Sequence, residues 1–182
     1  MTRKSYRRAV PVIGALAVVA SLAACSGGQP GAAAVVGDRV VRVSDVDTAT
    51  RELTDVLQGV TAPAVVGVLV QEPVVVEQAA DAGLGVSEEQ ARDALAQQAE
   101  QAGAGSDLAF SAPSVAVMRY VLAFGALQQS ADEARLTDLR DRLAALDVTV
   151  SPRYGSAEAL GTPATYPWLV PTATSTATPD AP

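Results

Sequence analysis

The valine-rich stretch from residue 34 to residue 57 constrains the fold of this chain more than any other segment. Valines on both sides of Gly37 predict two short strands joined by a turn. Ser44 stands three residues before Asp47, a spacing that predicts a helix N-cap at Ser44. Apolar residues then recur at steps of three and four, the pattern of a helix with one buried face, at Val46, Ala49, Leu53, Val56 and Leu57. Both the strands and the helix therefore need partners elsewhere in the chain.

The rest of the body is predicted to be helical. Residues 61–85 are apolar, with Pro63 near a helix start and Pro73 either kinking a helix or separating two shorter ones. Ser87 and Gln90 predict a capping box, and two more helices are predicted from about Ser111 and from Ser130 to Leu146. In the last helix the predicted inward residues are Ala134, Leu136, Leu139, Leu143 and Leu146.

A short alternating strand is predicted at Val148–Val150, with Pro152 preventing its continuation. Its valines suit a position beside the strands at the start of the body. The predicted fold class is therefore mainly α, with a small β-sheet that pairs the start and the end of the domain.

Several classes of chemistry are excluded by residue counts. The chain of 182 residues has no histidine and one cysteine. Ser-His-Asp catalysis, histidine zinc sites and intramolecular disulfides are therefore absent, and we expect no enzyme activity, no metal and no cofactor. Carboxylate pairs such as Asp45/Asp47, Glu88/Glu89 and Asp132/Glu133 fall at predicted helix starts, where they complement the helix dipole.

The first 24 residues have the pattern of an export signal. Four basic residues precede an apolar run of roughly 16 residues, which is shorter than the about 20 residues of a membrane-spanning helix. The run ends in LAAC, with the only cysteine at Cys25, so we expect cleavage before Cys25 and lipidation of its thiol. An ordinary signal peptide with an incidental cysteine, or an uncleaved anchor, is the alternative.

Cleavage there would define four segments and a more acidic mature chain. Residues 1–24 are a predicted signal peptide, 25–33 a lipidated tether, 34–155 the folded domain and 156–182 a disordered tail rich in Pro, Thr and Ala. Loss of four of the 13 basic residues leaves 9 against 20 acidic ones, a formal charge of −11. Such a charge disfavours nucleic-acid binding.

The order of these features resembles the N-terminal chaperone domain of the SurA proteins and the PrsA foldase lipoproteins. Three segments carry the resemblance, at 36–46 (VGDRVVRVSDV), 77–89 (EQAADAGLGVSEE) and 148–155 (VTVSPRYG). Both families also carry parvulin isomerase domains of about 90 or more residues, for which the chain after Gly155 is too short.

The resemblance therefore implies holding of unfolded or partly folded exported polypeptides at the outer face of the cell membrane, without prolyl isomerase activity. The alternative is a non-chaperone envelope lipoprotein that serves as a structural or partner-binding subunit of one dedicated complex. Arg153 and Tyr154 of the last segment are expected to close the domain by stacking on its surface.

A client-binding groove is the candidate site for the first of these functions. Its candidate residues are Val65, Val66, Leu69, Val74, Val75, Met118, Val121, Leu122 and Phe124. Exposed apolar side chains of a helical cradle bind unfolded chains. The same residues equally suit the core, since a small domain needs most of its large apolar side chains inside.

The anchor can be tested with one substitution. Cys25→Ser removes the only thiol that can accept the lipid, so we expect the protein to shift from the membrane and detergent phase to the aqueous phase. Fractionation and intact-mass measurement of the mature protein check this. A Cys25→Ser protein that is still processed normally and still firmly membrane-bound would contradict it.

Overall fold

The computed structural model describes residues 29–105, 108–130 and 132–157. Two strands, β1 (Ala32–Val36) and β2 (Arg39–Arg42), precede five helices and a third strand. The helices are α1 (Val43–Thr54), α2 (Ala62–Asp81), α3 (Glu88–Gln101), α4 (Ala112–Gln129) and α5 (Glu133–Ala144), and β3 (Val148–Val150) follows them. The fold is mainly helical with a small antiparallel sheet, as the sequence predicts.

The sheet joins the two ends of the helical body. Its strand order is β2-β1-β3, and β1 pairs antiparallel with both neighbours. Ala34 lies opposite Val150 and Val36 opposite Val148, so the predicted pairing of the last strand with the first is confirmed. The β1–β2 turn needs a left-handed residue, and Gly37 supplies it with φ of 54°.

The strand β1 begins two residues earlier than the predicted domain. Ala32 is already paired with Arg42, and Ala33 is fully buried, although both belong to the segment predicted as a tether. Small residues at 32–34 therefore serve the core rather than a flexible linker. The predicted signal peptide, Cys25 and the tail from residue 158 onward lie outside the described residues.

The predicted N-cap at Ser44 is wrong. The helix α1 begins at Val43 directly after strand β2, with Arg42 as an N-cap that makes no side-chain capping bond. The Val43 amide donates instead to the Gly31 carbonyl at 2.9 Å, and Ser44 Oγ donates to Asp45 Oδ1 at 3.3 Å. The first amide of the helix is thus satisfied by a backbone acceptor from the turn before β1, which the local sequence alone does not indicate.

The helix α2 is continuous through Pro73, so a single helix of 20 residues replaces the two shorter ones that were the alternative. Proline has no amide hydrogen, so the Leu69 carbonyl loses its usual helical donor. Arg39 of β2 replaces it, because its guanidinium donates to the carbonyl of Leu69 at 2.8 Å and to that of Val70 at 2.7 Å.

The later helix starts agree closely with the sequence. Ser87 and Gln90 form both bonds of the predicted capping box, and Pro63 and Pro113 lie in the first turns of α2 and α4. The last helix begins at Glu133, with Asp132 as its cap, rather than at Ser130. Asp132 accepts a bond from the Arg135 amide at 3.1 Å.

The predicted inward stripe of α5 is only partly correct. Leu139 is buried, Leu136 and Leu143 are half-buried, and Leu146 is half-buried beyond the helix end. Ala134 is exposed. The helix packs on one side only, against α2 and α4, so it buries a narrow stripe. Within the described ranges, no helix has the length and hydropathy needed to cross a bilayer.

A double-mutant cycle tests whether the Arg39 guanidinium replaces the amide donor that Pro73 lacks. Arg39→Ala removes two charged hydrogen bonds to partly buried carbonyls, so we expect it to lower the free energy of unfolding by about 1–3 kcal/mol. In a Pro73→Ala background the new amide can reach the Leu69 carbonyl, and the cost of Arg39→Ala should fall to less than about half.

Arg42→Ala, an exposed arginine of the same strand, is the matched control and should cost little in either background. Chemical denaturation of the four proteins gives the coupling energy. Equal costs of Arg39→Ala with and without Pro73 would show that Arg39 does not replace the missing amide.

Candidate functional site

The nine residues predicted for a client groove divide between the core and the surface. Five are buried, three are half-buried and one is exposed. The buried ones are Val65, Val66, Leu69, Val75 and Met118, the half-buried ones are Val74, Leu122 and Phe124, and the exposed one is Val121 with 47% of its surface accessible. A buried side chain contacts no client in this conformation, so these five belong to the core.

The buried apolar residues form two clusters along α2 and α4. The proximal core lies next to the sheet and includes Val65, Val66 and Leu69 of α2 with Val115 and Met118 of α4. The distal core consists of Val75, Ala79, Ala123, Leu127 and Leu139. Earlier residues of α2 and α4 share the proximal core and later residues of both share the distal core, so the two helices run side by side in parallel.

The distal core is thinly covered compared with the proximal core. Among the described residues, nine half-buried apolar side chains surround only five buried ones, whereas the proximal core has 16 buried and 13 half-buried members. Its half-buried side chains, which we call the distal rim, are Val74, Val76, Ala82, Leu84, Val86, Tyr120, Phe124, Leu136 and Leu143. The distal core therefore has a higher proportion of partly accessible apolar side chains than the proximal core.

An ion pair separates the two clusters. Glu72 Oε1 of α2 lies 3.2 Å from Arg119 Nη1 of α4, and their side chains are 13% and 25% exposed. Burial raises the pKa of Glu72, although Arg119 and Arg39 act in the opposite direction. Next to this pair, Tyr120 Oη donates to Gln71 Oε1 at 3.3 Å. Polar contacts thus cross the helix pair at the level of Pro73.

Sequence reasoning did not single out Glu72, Arg119 or Gln78, yet a signal for the first two was present. Arg119 is the only charged residue of α4, and Glu72 interrupts an apolar run in α2. A lone cation and a lone anion on two buried helices must be paired in the fold, because an isolated buried charge is costly. Such residues therefore predict which parts of two helices meet.

An aromatic pair lies on the distal rim. Tyr120 and Phe124 stack one helical turn apart on α4, with ring centroids separated by 5.7 Å and planes inclined by 7°. Both rings are half-buried. Aromatic side chains with an accessible face supply large apolar contact area at low conformational cost, so they are suited to bind another chain.

Gln78 is a buried polar residue beneath α5. It is 4% exposed and donates from Nε2 to Asp138 Oδ2 of α5 at 3.0 Å. Its carbonyl oxygen Oε1 is buried and has no hydrogen-bond partner. A buried acceptor without a donor costs free energy, so the contact between α2 and α5 is imperfectly satisfied at this point.

A carboxylate joins the end of α1 to the start of α4. Glu52 Oε2 accepts bonds from the Ser111 amide at 2.9 Å, Ser111 Oγ at 2.7 Å and Ser114 Oγ at 2.5 Å. Burial acts to raise the pKa of Glu52, but the hydrogen bonds from Ser114 and Ser111, with nearby Arg51, outweigh it and leave the pKa below its usual value. Glu52 thereby caps α4, whose own N-cap side chain makes no capping bond.

The remaining candidate groups have structural positions. Asp45, Glu88, Glu89 and Glu133 lie in first helical turns, as predicted, whereas Asp47 does not because α1 starts earlier. Tyr154 is 3% exposed and belongs to the proximal core, with the Arg153 guanidinium 5.5 Å from its ring centroid. In the described part of the chain, no group of three or more acidic or cysteine side chains is placed to bind a metal ion.

Two open depressions lie away from the distal core. One, of about 420 Å³, is bounded by Gln29–Gly31 and the β2–α1 junction. The other, of about 440 Å³, lies along residues 54–61 and includes Val56, Leu57 and Val60. Neither is an apolar groove on α2 and α4, so the accessible part of the distal rim is the candidate contact surface on these two helices.

Comparison with known proteins supplies no identity for the chain. No family model, no curated protein and no solved structure matches it.

The junction at Glu52 predicts a pH dependence of stability. A carboxyl group whose pKa is lowered by folding stabilises the protein above its unfolded pKa, near 4.5, and loses this effect as pH falls through the folded value. Glu52→Ala leaves buried Ser114 without its acceptor and should cost about 1–3 kcal/mol at neutral pH.

Glu52→Gln keeps an acceptor oxygen but cannot ionise, so it should cost less than Glu52→Ala. Its difference from the wild type should shrink as pH falls below 4.5. Denaturation midpoints between pH 3 and pH 7 check both points, and a difference that does not change over this range would contradict the role of the charge.

Proposed function

We propose that this protein is a lipid-anchored, SurA-like holding chaperone or assembly factor for exported polypeptides, without prolyl isomerase activity. The observation that carries the proposal is the distal rim, where half-buried apolar and aromatic side chains outnumber the buried ones beneath them. Holding chaperones need accessible apolar surface on a stable scaffold, because unfolded clients are recognised by their exposed apolar segments.

The order of the sequence features supports the same proposal. An LAAC cysteine precedes a body that resembles the SurA and PrsA chaperone domains, and a sheet joins the start of that body to its end. Attachment through Cys25 would place the distal rim where newly exported chains emerge. Two acyl chains provide stable anchoring, whereas one is marginal.

A dedicated envelope subunit is the second candidate, and a specific observation favours it. Five of the nine proposed groove residues are buried in the core, so the closed domain offers less apolar surface than an open cradle would. A subunit that contacts one fixed partner needs only a modest rim. Tyr120 and Phe124 would then be the anchors of that interface.

Aggregation assays distinguish the two functions. The full-length lipidated chain in lipid nanodiscs should slow the aggregation of several unrelated denatured clients, measured by light scattering, relative to empty nanodiscs. Val74→Thr with Val76→Thr keeps side-chain shape but adds hydroxyls to the rim, and it should reduce the effect at least about twofold.

Leu108→Asn is the matched control, because Leu108 is 46% exposed but lies outside the distal rim. It should leave the activity unchanged. No effect of the wild-type chain on any client, together with recovery of one stoichiometric partner from solubilised membranes, would support the dedicated subunit instead.

A further inference from the structure

We infer that α5 is a displaceable cover and that the surface beneath it, on α2 and α4, binds amphipathic helical segments of client polypeptides. This inference rests on the proposed function and names the client-binding site for it. The cover is the part of the chain from Asp132 to Ala144. The surface beneath it is formed by Val75, Gln78 and Ala79 of α2 with Ala123 and Leu127 of α4.

The attachment of α5 is weaker than that of the other helices. Leu139 is its only buried residue, whereas each of the other helices buries at least three. Of its ion pairs, Arg135–Asp132 and Arg142–Asp138 lie within the segment and stabilise only the helix itself. The pair that reaches α2 joins Arg142 to Glu77 at 3.8 Å between largely exposed groups, which contributes little.

Local unfolding is the physical route by which α5 would leave. A helix of 12 residues is marginal in water without tertiary contacts, and segments with few buried apolar side chains open first. The strand β3 can keep its pairing with β1 while α5 opens, because residues 145–147 separate the two elements. Opening therefore exposes the distal core without breaking the sheet.

The residues of α5 indicate which ligand fits the exposed surface. Its contacting side chains are Leu136, Leu139 and Leu143, spaced by three and four residues as on one face of a helix. A client helix with large apolar residues at this spacing can replace them. Gln78 supplies a second requirement, since its unpartnered Oε1 can accept a hydrogen bond from a donor that α5 does not provide.

Charge favours basic clients. Once α5 leaves, Arg142 is withdrawn from Glu77, and the exposed surface keeps the carboxylates of Glu77 and Asp81 at its edge. A client segment with lysine or arginine opposite its apolar face, or a lysine that donates to Gln78 Oε1, would gain attraction that an acidic segment lacks. The site therefore takes apolar, basic amphipathic segments in preference to acidic ones.

The experiment compares the opening of α5 with the affinity of the protein for an amphipathic peptide. Asp132→Ala removes the N-terminal cap of α5, which should increase the open population about fivefold. If clients bind only the open form, the apparent Kd for a labelled amphipathic peptide with leucines at i, i+3 and i+7 and a lysine face should fall by the same factor. Hydrogen exchange of α5 amides in the full-length chain should accelerate by that factor too, while α2 amides should not change.

Asp132→Asn is the matched control, because asparagine also caps helices, and it should change neither quantity appreciably. Equal fivefold changes in exchange and in affinity support the inference. Faster exchange of α5 with unchanged peptide affinity would overturn it.

A cross-link separates this inference from the proposed function. In a full-length Cys25→Ser chain, Glu77→Cys and Arg142→Cys place the only two thiols on α2 and α5, where a short bismaleimide can join them. The joined protein should lose peptide binding and client holding at least tenfold, compared with the same protein capped by N-ethylmaleimide. Holding that persists in the joined protein would overturn the displaceable cover but not the chaperone function. Peptide binding without any holding of clients would overturn the function but not the site.

Discussion

The pairing of β1 with β3 is the interaction on which the rest of the structure depends. It fixes residues 32–36 against residues 148–150, and all five helices lie between them in sequence. The described residues contain no cysteine, so this backbone ladder and the apolar core close the domain without a covalent cross-link. The sheet also contributes to the proximal core, because Ala33, Ala34 and Val41 belong to the same buried cluster as residues of α2 and α4.

A polar layer in the middle of α2 divides the domain into two unequal halves. Pro73 removes a helical donor, Arg39 of the sheet replaces it, and the Glu72–Arg119 pair lies beside them. The contacts of Arg39 and of the Glu72–Arg119 pair form only when the strand, α2 and α4 are in register, so they specify how the helices align. The proximal half is well buried, whereas the distal half is covered by α5, a helix with one buried residue.

The sequence predicted the elements more successfully than their junctions. Helix starts with strong local signals, such as Ser87 with Gln90, formed as predicted because the whole motif lies within four residues. The start of α1 did not, because its first amide is satisfied by the carbonyl of Gly31, in the turn directly before β1. The same reason explains the groove: hydropathy identifies Val65 and Val121 equally as apolar, and only the packing of α2 against α4 buries one and exposes the other.

The position of β3 has a consequence for the order of folding. Its partner β1 is made near the beginning of the chain, and the residues that close the sheet are among the last of the body to emerge. Contacts between residues so distant in sequence form late, since the intervening loop must first be closed at an entropic cost. The helices can associate as soon as they are made, but the completed domain arises only once residue 150 is available to pair with β1.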